Sequence, residues 1–211
     1  MKLAEMTVTG FAAEVASESP APGGGSAAAL AGATGAALTA MVSGLTVGRK
    51  KYAGVQPLVT AAQQQGKALC ARFLDVMDRD TEAFLAVSAA YALPKQTEEE
   101  RAARSAAIQL GLKGCTETPF EMMQLCAQGL ELLSDLLGKT NAAAASDFGV
   151  AALSLKTALQ GAWLNVLINL GSITDAAFAA HYREAGEALL KRALPAADRC
   201  FEAMRALCAG G

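Results

Sequence analysis

Histidine is nearly absent from this chain: of 211 residues, only His181 carries an imidazole. A multi-histidine metal site within one chain is thereby excluded, and a catalytic triad is left a single imidazole to draw on. Charge is scarce as well. Asp, Glu, Lys and Arg make up 18% of the residues and the formal net charge is −2, with a pI near 5.5. Without a basic excess there is no general footprint for nucleic acid. Aromatics are 5%, and the period-two alternation of β-branched and aromatic side chains is missing throughout, which excludes a sheet. The five cysteines (Cys70, Cys115, Cys126, Cys200, Cys208) are odd in number and contain no Cys-x-x-Cys pair. That usage fits free buried thiols in a reducing cytosol. The opening Met1-Lys2-Leu3-Ala4-Glu5-Met6 has no apolar signal core, so the expected location is cytoplasmic.

What is present is alanine and helical punctuation. Hydrophobic residues are 53% of the chain and the mean hydropathy is +0.28. The length suits a single domain over 1–211. The pattern predicts an all-α bundle of about seven helices. A first covers about Thr9 to Ala16, and a second runs from Ser26 as its cap to about Gly48. A third, long one begins near Pro57 and reaches about Leu93, before Pro94. A fourth starts at Thr97 with Glu100 three residues on, the pattern of a capping box, and ends near Gly111 or Gly114. Thr118-Pro119-Phe120-Glu121 predicts the start of a fifth, stopping at Gly138. A sixth spans about Ala142 to Leu170. The last begins at Thr174-Asp175 and runs toward Ala209, with a kink at Pro195.

The stretch Pro20-Ala21-Pro22-Gly23-Gly24-Gly25-Ser26 forbids regular structure and then feeds an alanine- and glycine-rich helix. No charged residue occurs from Ser19 to Gly48, after which Arg49-Lys50-Lys51-Tyr52 follow at once. Gly23-x-Gly25-x-x-Ala28 matches a relaxed dinucleotide fingerprint, but no strand precedes it, and the Gly-Lys-Ser/Thr of a phosphate loop is missing. The uncharged run is long enough to span a membrane. Its Ala, Gly, Ser and Thr content instead suits close helix packing in a bundle or across a subunit interface. Exposed main chain at Gly23, Gly24, Gly25 and Ser26, with N–H groups at a helix start, can receive a flat or anionic ligand.

On the third helix, Phe73, Met77, Asp80, Phe84, Val87 and Tyr91 form one stripe, with Asp80 as the single carboxylate in an apolar face. Asp75 and Asp78 fall on other faces and read as solvated. Three explanations of Asp80 stay open: a buried partner, a cap for another helix, or a catalytic acid with a raised pKa. Ser146 or Asp147 reads first as a cap of the sixth helix, and Asn141 as a turn residue. Asn165 and Asn169 share a face and read as a tie between helices, or as contacts to a polar ligand. The Arg49–Tyr52 cluster is a solvated helix end or an anion site.

The glycine loop and basic cluster, followed by Asp80-Thr81-Glu82-Ala83-Phe84, Leu93-Pro94-Lys95-Gln96-Thr97, Asn141, Ser146-Asp147-Phe148-Gly149-Val150-Ala151-Ala152 and Asn165-Val166-Leu167-Ile168-Asn169, resemble the cyclodeaminase/cyclohydrolase family of folate one-carbon enzymes. The resemblance covers nearly the whole chain in order. It departs at Thr140, where a glycine is expected before the matching Asn. It implies an all-helical homodimer, a tetrahydrofolate substrate bound near the glycine loop and the interface, and the aspartate matching Asp80 as proton donor. It carries Lys95, Asn141, Ser146 and Asp147 over as substrate-binding positions. Arg49, Lys50, Lys51 and Tyr52 suit the anionic glutamate tail. No metal or other cofactor is called for. Formiminotetrahydrofolate cyclodeaminase is the leading expectation, methenyltetrahydrofolate cyclohydrolase its rival, and an inactive helical interaction protein the third. The partners expected are the folate and a second copy of the chain, as a dimer or a pair of dimers, with neither nucleic acid nor membrane.

Overall fold

Three side chains open helices as their types dictate. Thr7 Oγ1 accepts from Gly10 N at 3.0 Å, Thr97 Oγ1 from Glu100 N at 3.1 Å, and Asp175 Oδ1 from Phe178 N at 3.0 Å. Glu100 accepts in return from Thr97 N, closing the capping box. In the computed structural model, which describes residues 2–210, the chain forms α1 (Val8–Val15), α2 (Gly24–Gly44), α3 (Gln56–Tyr91), α4 (Glu98–Leu136), α5 (Ala145–Leu170) and α6 (Ala176–Cys208). Short 3-10 turns cover Leu3–Glu5, Lys50–Val55 and Ala142–Ala144. No strand occurs among the described residues.

The α-helices number six rather than seven among the described residues, because the expected fourth and fifth are one. α4 runs through Gly111, Gly114 and the buried Pro119 without a break. Proline removes one helix hydrogen bond, and the carbonyl it frees, that of Cys115, is taken by Asn169 Nδ2 of α5 at 2.7 Å. Ser26 does not cap α2: Gly23 holds that position and Ser26 lies inside the first turn. α2 stops at Gly44, and Gly48, with φ of 76°, turns the chain after it. Neither Ser146 nor Asp147 caps α5. Both sit in its first turn, while Asn141 caps the preceding 3-10 turn by accepting from Ala143 N at 3.2 Å.

α2 lies antiparallel to both α3 and α5, at a spacing set by glycine. A Cβ on Gly32 would meet the Phe73 ring at 2.4 Å, and one on Gly66 would meet Ala40 N at 2.9 Å. Toward α5, a Cβ on Gly35 would meet Leu155 Cγ at 2.8 Å. α2 is long and apolar enough by composition to cross a membrane, yet 61% of its apolar 18-residue window is buried inside the bundle, as in a core helix. The core gathers Phe73, Met77, Met122, Leu130, Phe148, Leu155 and Leu159, all essentially inaccessible.

α2 is shorter than α3. It covers α3 from Gln63, against Gly44, to Asp80, against Gly25. Beyond Asp80, α3 packs on α4 through a small separate cluster of Val87, Ala90, Ile108, Leu112 and Cys115. Asp80 therefore stands where the main core ends and the satellite begins. The stripe read from the sequence loosens at the same point: Phe73 and Met77 are buried in the main core, whereas beyond Asp80 only Val87 is buried, in the satellite, and Phe84 and Tyr91 are 41% and 49% exposed.

Candidate active site

Four helices converge on a cleft of about 210 Å³. α2 and the loop before it contribute Pro20, Gly23, Gly24, Gly25 and Ser26, and α3 contributes Asp80, Thr81 and Phe84. Cys115 comes from α4 and Asn165 from α5. Larger hollows exist, such as a groove of about 500 Å³ between α2 and α3 that includes Met41, Leu45 and Cys70. Among the described residues, the smaller cleft brings together a carboxyl, a thiol, hydroxyls, a carboxamide and free main-chain donors.

The Asp80 carboxyl rests on Gly25. A Cβ there would lie 2.3 Å from Asp80 Oδ2 and 2.9 Å from Oδ1. Gly25 is thus glycine because Asp80 occupies the space, whereas Gly23 and Gly24 have nothing within 4 Å of where their Cβ atoms would be. Burial pushes the Asp80 carboxyl up to about 6, with a hydrogen bond from Ser26 opposing the shift in part. Ser26 Oγ also lies 3.1 Å from Thr81 Oγ1. Burial, and secondarily the Asp80 charge, push the Cys115 thiol up to about 11, so it stays protonated at neutral pH. The first helical hydrogen bond of α2 is Ala27 N to Gly23 O at 3.0 Å, and no side chain caps this end. The N–H groups of Gly24, Gly25 and Ser26 therefore point out of the helix beside Asp80, where they favour developing negative charge.

Of the residues singled out from sequence, Gly23, Gly24, Gly25, Ser26, Asp80 and Asn165 come together here. The basic cluster, Lys95, Asn141, Ser146 and Asp147 do not join them on one chain. Lys51, Tyr52 and Asn141 line a second cleft, of about 310 Å³, with Thr140, Met204 and Leu207. It is tied together by Asn141 N to Thr46 Oγ1 at 2.9 Å and Ala142 N to Tyr52 Oη at 3.2 Å. Arg49 and Lys50 are exposed nearby, and Ser146 and Asp147 sit in the adjoining first turn of α5. This end lies at the opposite terminus of α2 from Asp80, about 30 Å along the helix at 1.5 Å per residue. Lys95 is exposed at the turn joining α3 to α4, beyond Tyr91, which is itself about 17 Å along α3 from Asp80. Asp78 is half-buried rather than solvated: its Oδ1 accepts from Leu3 N at 2.7 Å and pins the N-terminal segment to α3.

Cys115 is the cleft residue that sequence reasoning missed, being read only as a free thiol. Nothing local marks it, because its neighbours come from other helices. Asn165 and Asn169 divide their roles. Asn169 joins α5 to α4, whereas Asn165 donates only within its own helix, to Gly161 O at 2.9 Å, and lines the cleft.

Residues 7–188 match the family model described as formiminotransferase-cyclodeaminase. The chain belongs to that family. A methenyltetrahydrofolate cyclohydrolase of Methylorubrum extorquens is 40% identical over 199 residues, covering 94% of this chain and 96% of that protein. A formimidoyltransferase-cyclodeaminase of Sus scrofa is 39% identical over 183 residues, 87% of this chain, but the match spans only 34% of the pig protein. Among solved structures, a formiminotetrahydrofolate cyclodeaminase of Thermotoga maritima superposes with a TM-score of 0.82 at 27% identity, covering 98% and 97% of the two chains. As a member of the formiminotransferase-cyclodeaminase family, the chain is an enzyme of folate one-carbon metabolism, on the cyclodeaminase/cyclohydrolase branch.

Proposed function

We propose that the chain is a formiminotetrahydrofolate cyclodeaminase and that Asp80 is its proton donor. The observation that carries this reading is a carboxyl held protonated to about pH 6 beside outward-facing N–H groups. In the reaction, N10 of 5-formiminotetrahydrofolate attacks the carbon of the formimino group in its protonated, amidinium form; a C–N bond forms, the C=N π pair moves onto nitrogen, and the tetrahedral carbon bears an amino group. That amino nitrogen takes a proton from Asp80, the C–N bond breaks, and ammonia leaves with the bonding pair. N10 gives up its own proton as the methenyl bridge forms, which restores the acid. Only proton transfers are needed, and a carboxyl with a pKa near 6 serves them well. The outward N–H groups of Gly24 and Gly25 favour the carboxylate charge that develops as Asp80 gives up its proton.

The second reading is methenyltetrahydrofolate cyclohydrolase, supported by the 40% identity over nearly full length to such an enzyme. Water adds to the methenyl carbon, the ring opens, and the same carboxyl handles the protons as a base. One assay separates the two: with 5-formiminotetrahydrofolate, a cyclodeaminase raises the methenyl absorbance, whereas with 5,10-methenyltetrahydrofolate a cyclohydrolase depletes it. If neither signal changes, both readings fail.

A homodimer belongs to this proposal. Ala27, Thr34, Ala37, Met41 and Leu45 form an open, uncharged stripe along α2. Alongside, α5 exposes Val150, Leu153, Leu164 and Ile168. A cleft of about 210 Å³ falls below the ~300 Å³ and more of ordinary ligand sites, which supports a second copy completing its walls. Pairing two α2 helices antiparallel about a two-fold axis sets Arg49, Lys50 and Lys51 of each copy near the glycine loop of the other. That arrangement reconciles a tail-binding role for the cluster with its distance from Asp80 on one chain. Sedimentation from micromolar to nanomolar concentration, with activity followed in parallel, tests it: a fully active monomer refutes it.

A further inference from the structure

We infer that Asn169 is a positioning residue for the Asp80 cleft: its carboxamide replaces the helix hydrogen bond that Pro119 deletes, and so clamps the α4 wall, at Cys115, to the α5 wall, at Asn165. The inference rests on the reading of that cleft as the place of reaction.

Pro119 lies inside a 39-residue helix. It has no N–H to offer the Cys115 carbonyl four residues before it, and such a gap ordinarily lets a helix kink. Asn169 Nδ2 fills the gap at 2.7 Å and donates its second hydrogen to Asn165 O at 2.8 Å. Both donors of the amide are thus committed to carbonyls. The flipped amide would set its oxygen against two carbonyl oxygens, so the orientation is decided by the network.

The two carbonyls that share Asn169 belong to Cys115 and Asn165, the residues by which α4 and α5 enter the cleft. The brace therefore acts at the wall itself. Facing Asp80 are Ser26 from α2, Cys115 from α4 and Asn165 from α5, of which only the Cys115 thiol titrates. Releasing the brace frees the Cys115 turn to move away and admits water to Asp80. Dry surroundings at Asp80 then depend on an amide that touches neither Asp80 nor the space for substrate.

Asn169→Leu removes the donors at similar size, and Asn169→Asp keeps the shape while removing them. Both are expected to lower kcat/KM by about tenfold or more, the scale of a small misplacement at a reacting site, and to move its pH dependence to lower pH. In a Cys70→Ser, Cys208→Ser background, Cys115 should react severalfold faster with a small aromatic disulfide reagent. Pro119→Ala gives Cys115 O a donor from its own helix. Combined with Asn169→Leu it should restore most of the lost activity and slow the thiol reaction again, a strongly non-additive pair. If Asn169→Leu does not fold, the same logic holds for folding: rescue by Pro119→Ala supports the brace, and no rescue overturns it. Wild-type kcat/KM and thiol reactivity in Asn169→Leu, or a double variant whose losses simply multiply, would also overturn it. Failure of the Asp80 reading shows separately, as full turnover in Asp80→Asn, and leaves the thiol and double-variant results intact.

Discussion

The two ends of α2 carry the same kind of sequence signal and have opposite physical characters. At the N-terminal end, Gly23–Ser26 meet Asp80 in a narrow cleft with one carboxyl and neutral neighbours. At the other, Lys51, Tyr52 and Asn141 line a wider cleft with cations at its rim. The first buries a carboxyl and a thiol and pushes the pKa values of both up, whereas the second presents exposed cations beside an open cleft. On the proposed function, reactivity and charge recognition are separated by the length of one helix. Chemistry should break when the first end is changed, whereas affinity should change when the second is.

The largest contrast is expected from Asp80→Asn, which should lower kcat by about two to four powers of ten while the fold persists. Turnover near wild type would remove Asp80 from the mechanism. The same variant should be more stable at neutral pH. The folded chain holds a proton on Asp80 to about pH 6, above the ordinary carboxylate value, so the folded state binds more protons across that window. Stability is fully present below it and falls as pH rises through about 6. Removing the titration should return roughly 3 kcal/mol above that pH, read as a higher Tm in Asp80→Asn at pH 7 than in wild type.

Next comes glycine against glycine on the same helix. Gly25→Ala puts a Cβ 2.3 Å from the Asp80 carboxyl. A terminal carboxyl can swing aside, so the chain folds, but kcat should fall by about tenfold to a hundredfold. Gly32→Ala meets the Phe73 ring in the core instead. It should lower the melting temperature, with an overpacking cost of about 1–3 kcal/mol. Gly24→Ala faces open space and should act on KM alone. Thermal melts and kinetics on the three variants together check the ordering, and equal kcat in Gly25→Ala and wild type would contradict it.

The pH profile sharpens the first end further. Deamination that draws on the protonated carboxyl should slow by about tenfold per pH unit above 6, and hydrolysis that draws on the carboxylate should rise through the same point. Both limbs should be lost in Asp80→Asn. A flat profile for either reaction between pH 5 and 8 would argue against Asp80 as the titrating group.

At the second end, neutralising Arg49, Lys50 and Lys51 together should raise KM by about tenfold, with kcat preserved and the effect shrinking as salt is added. The smallest effect expected is from Ser26→Ala. Losing its hydrogen bond, which favours the carboxylate, should move the pH limb of Asp80 upward by less than about one unit. A downward shift would show that Ser26 acts otherwise.

Local physics made much of this molecule legible beforehand. The capping box at Thr97 and Glu100, the Asp175 cap and the break at Gly138, whose φ is 73°, are properties of a few adjacent residues, and they placed most helix ends. The lone carboxylate in the stripe of Phe73, Met77 and Val87 also identified Asp80 before any neighbour was known, because helical periodicity alone decides which residues share a face. Tertiary structure decided what those faces meet. Pro119 reads locally as a helix start, yet α4 continues through it because a carboxamide 50 residues away supplies the missing donor. Gly25 reads as main chain opened for a ligand, and the space its missing Cβ leaves is filled by the Asp80 carboxyl. The basic cluster follows the glycine loop closely in sequence, but the rigid helix between them carries it to the far end of the bundle. Periodicity assigns a residue to one side of its own helix. Only the lengths and packing of the other helices determine whether that side is buried, open, or aimed at a reacting group.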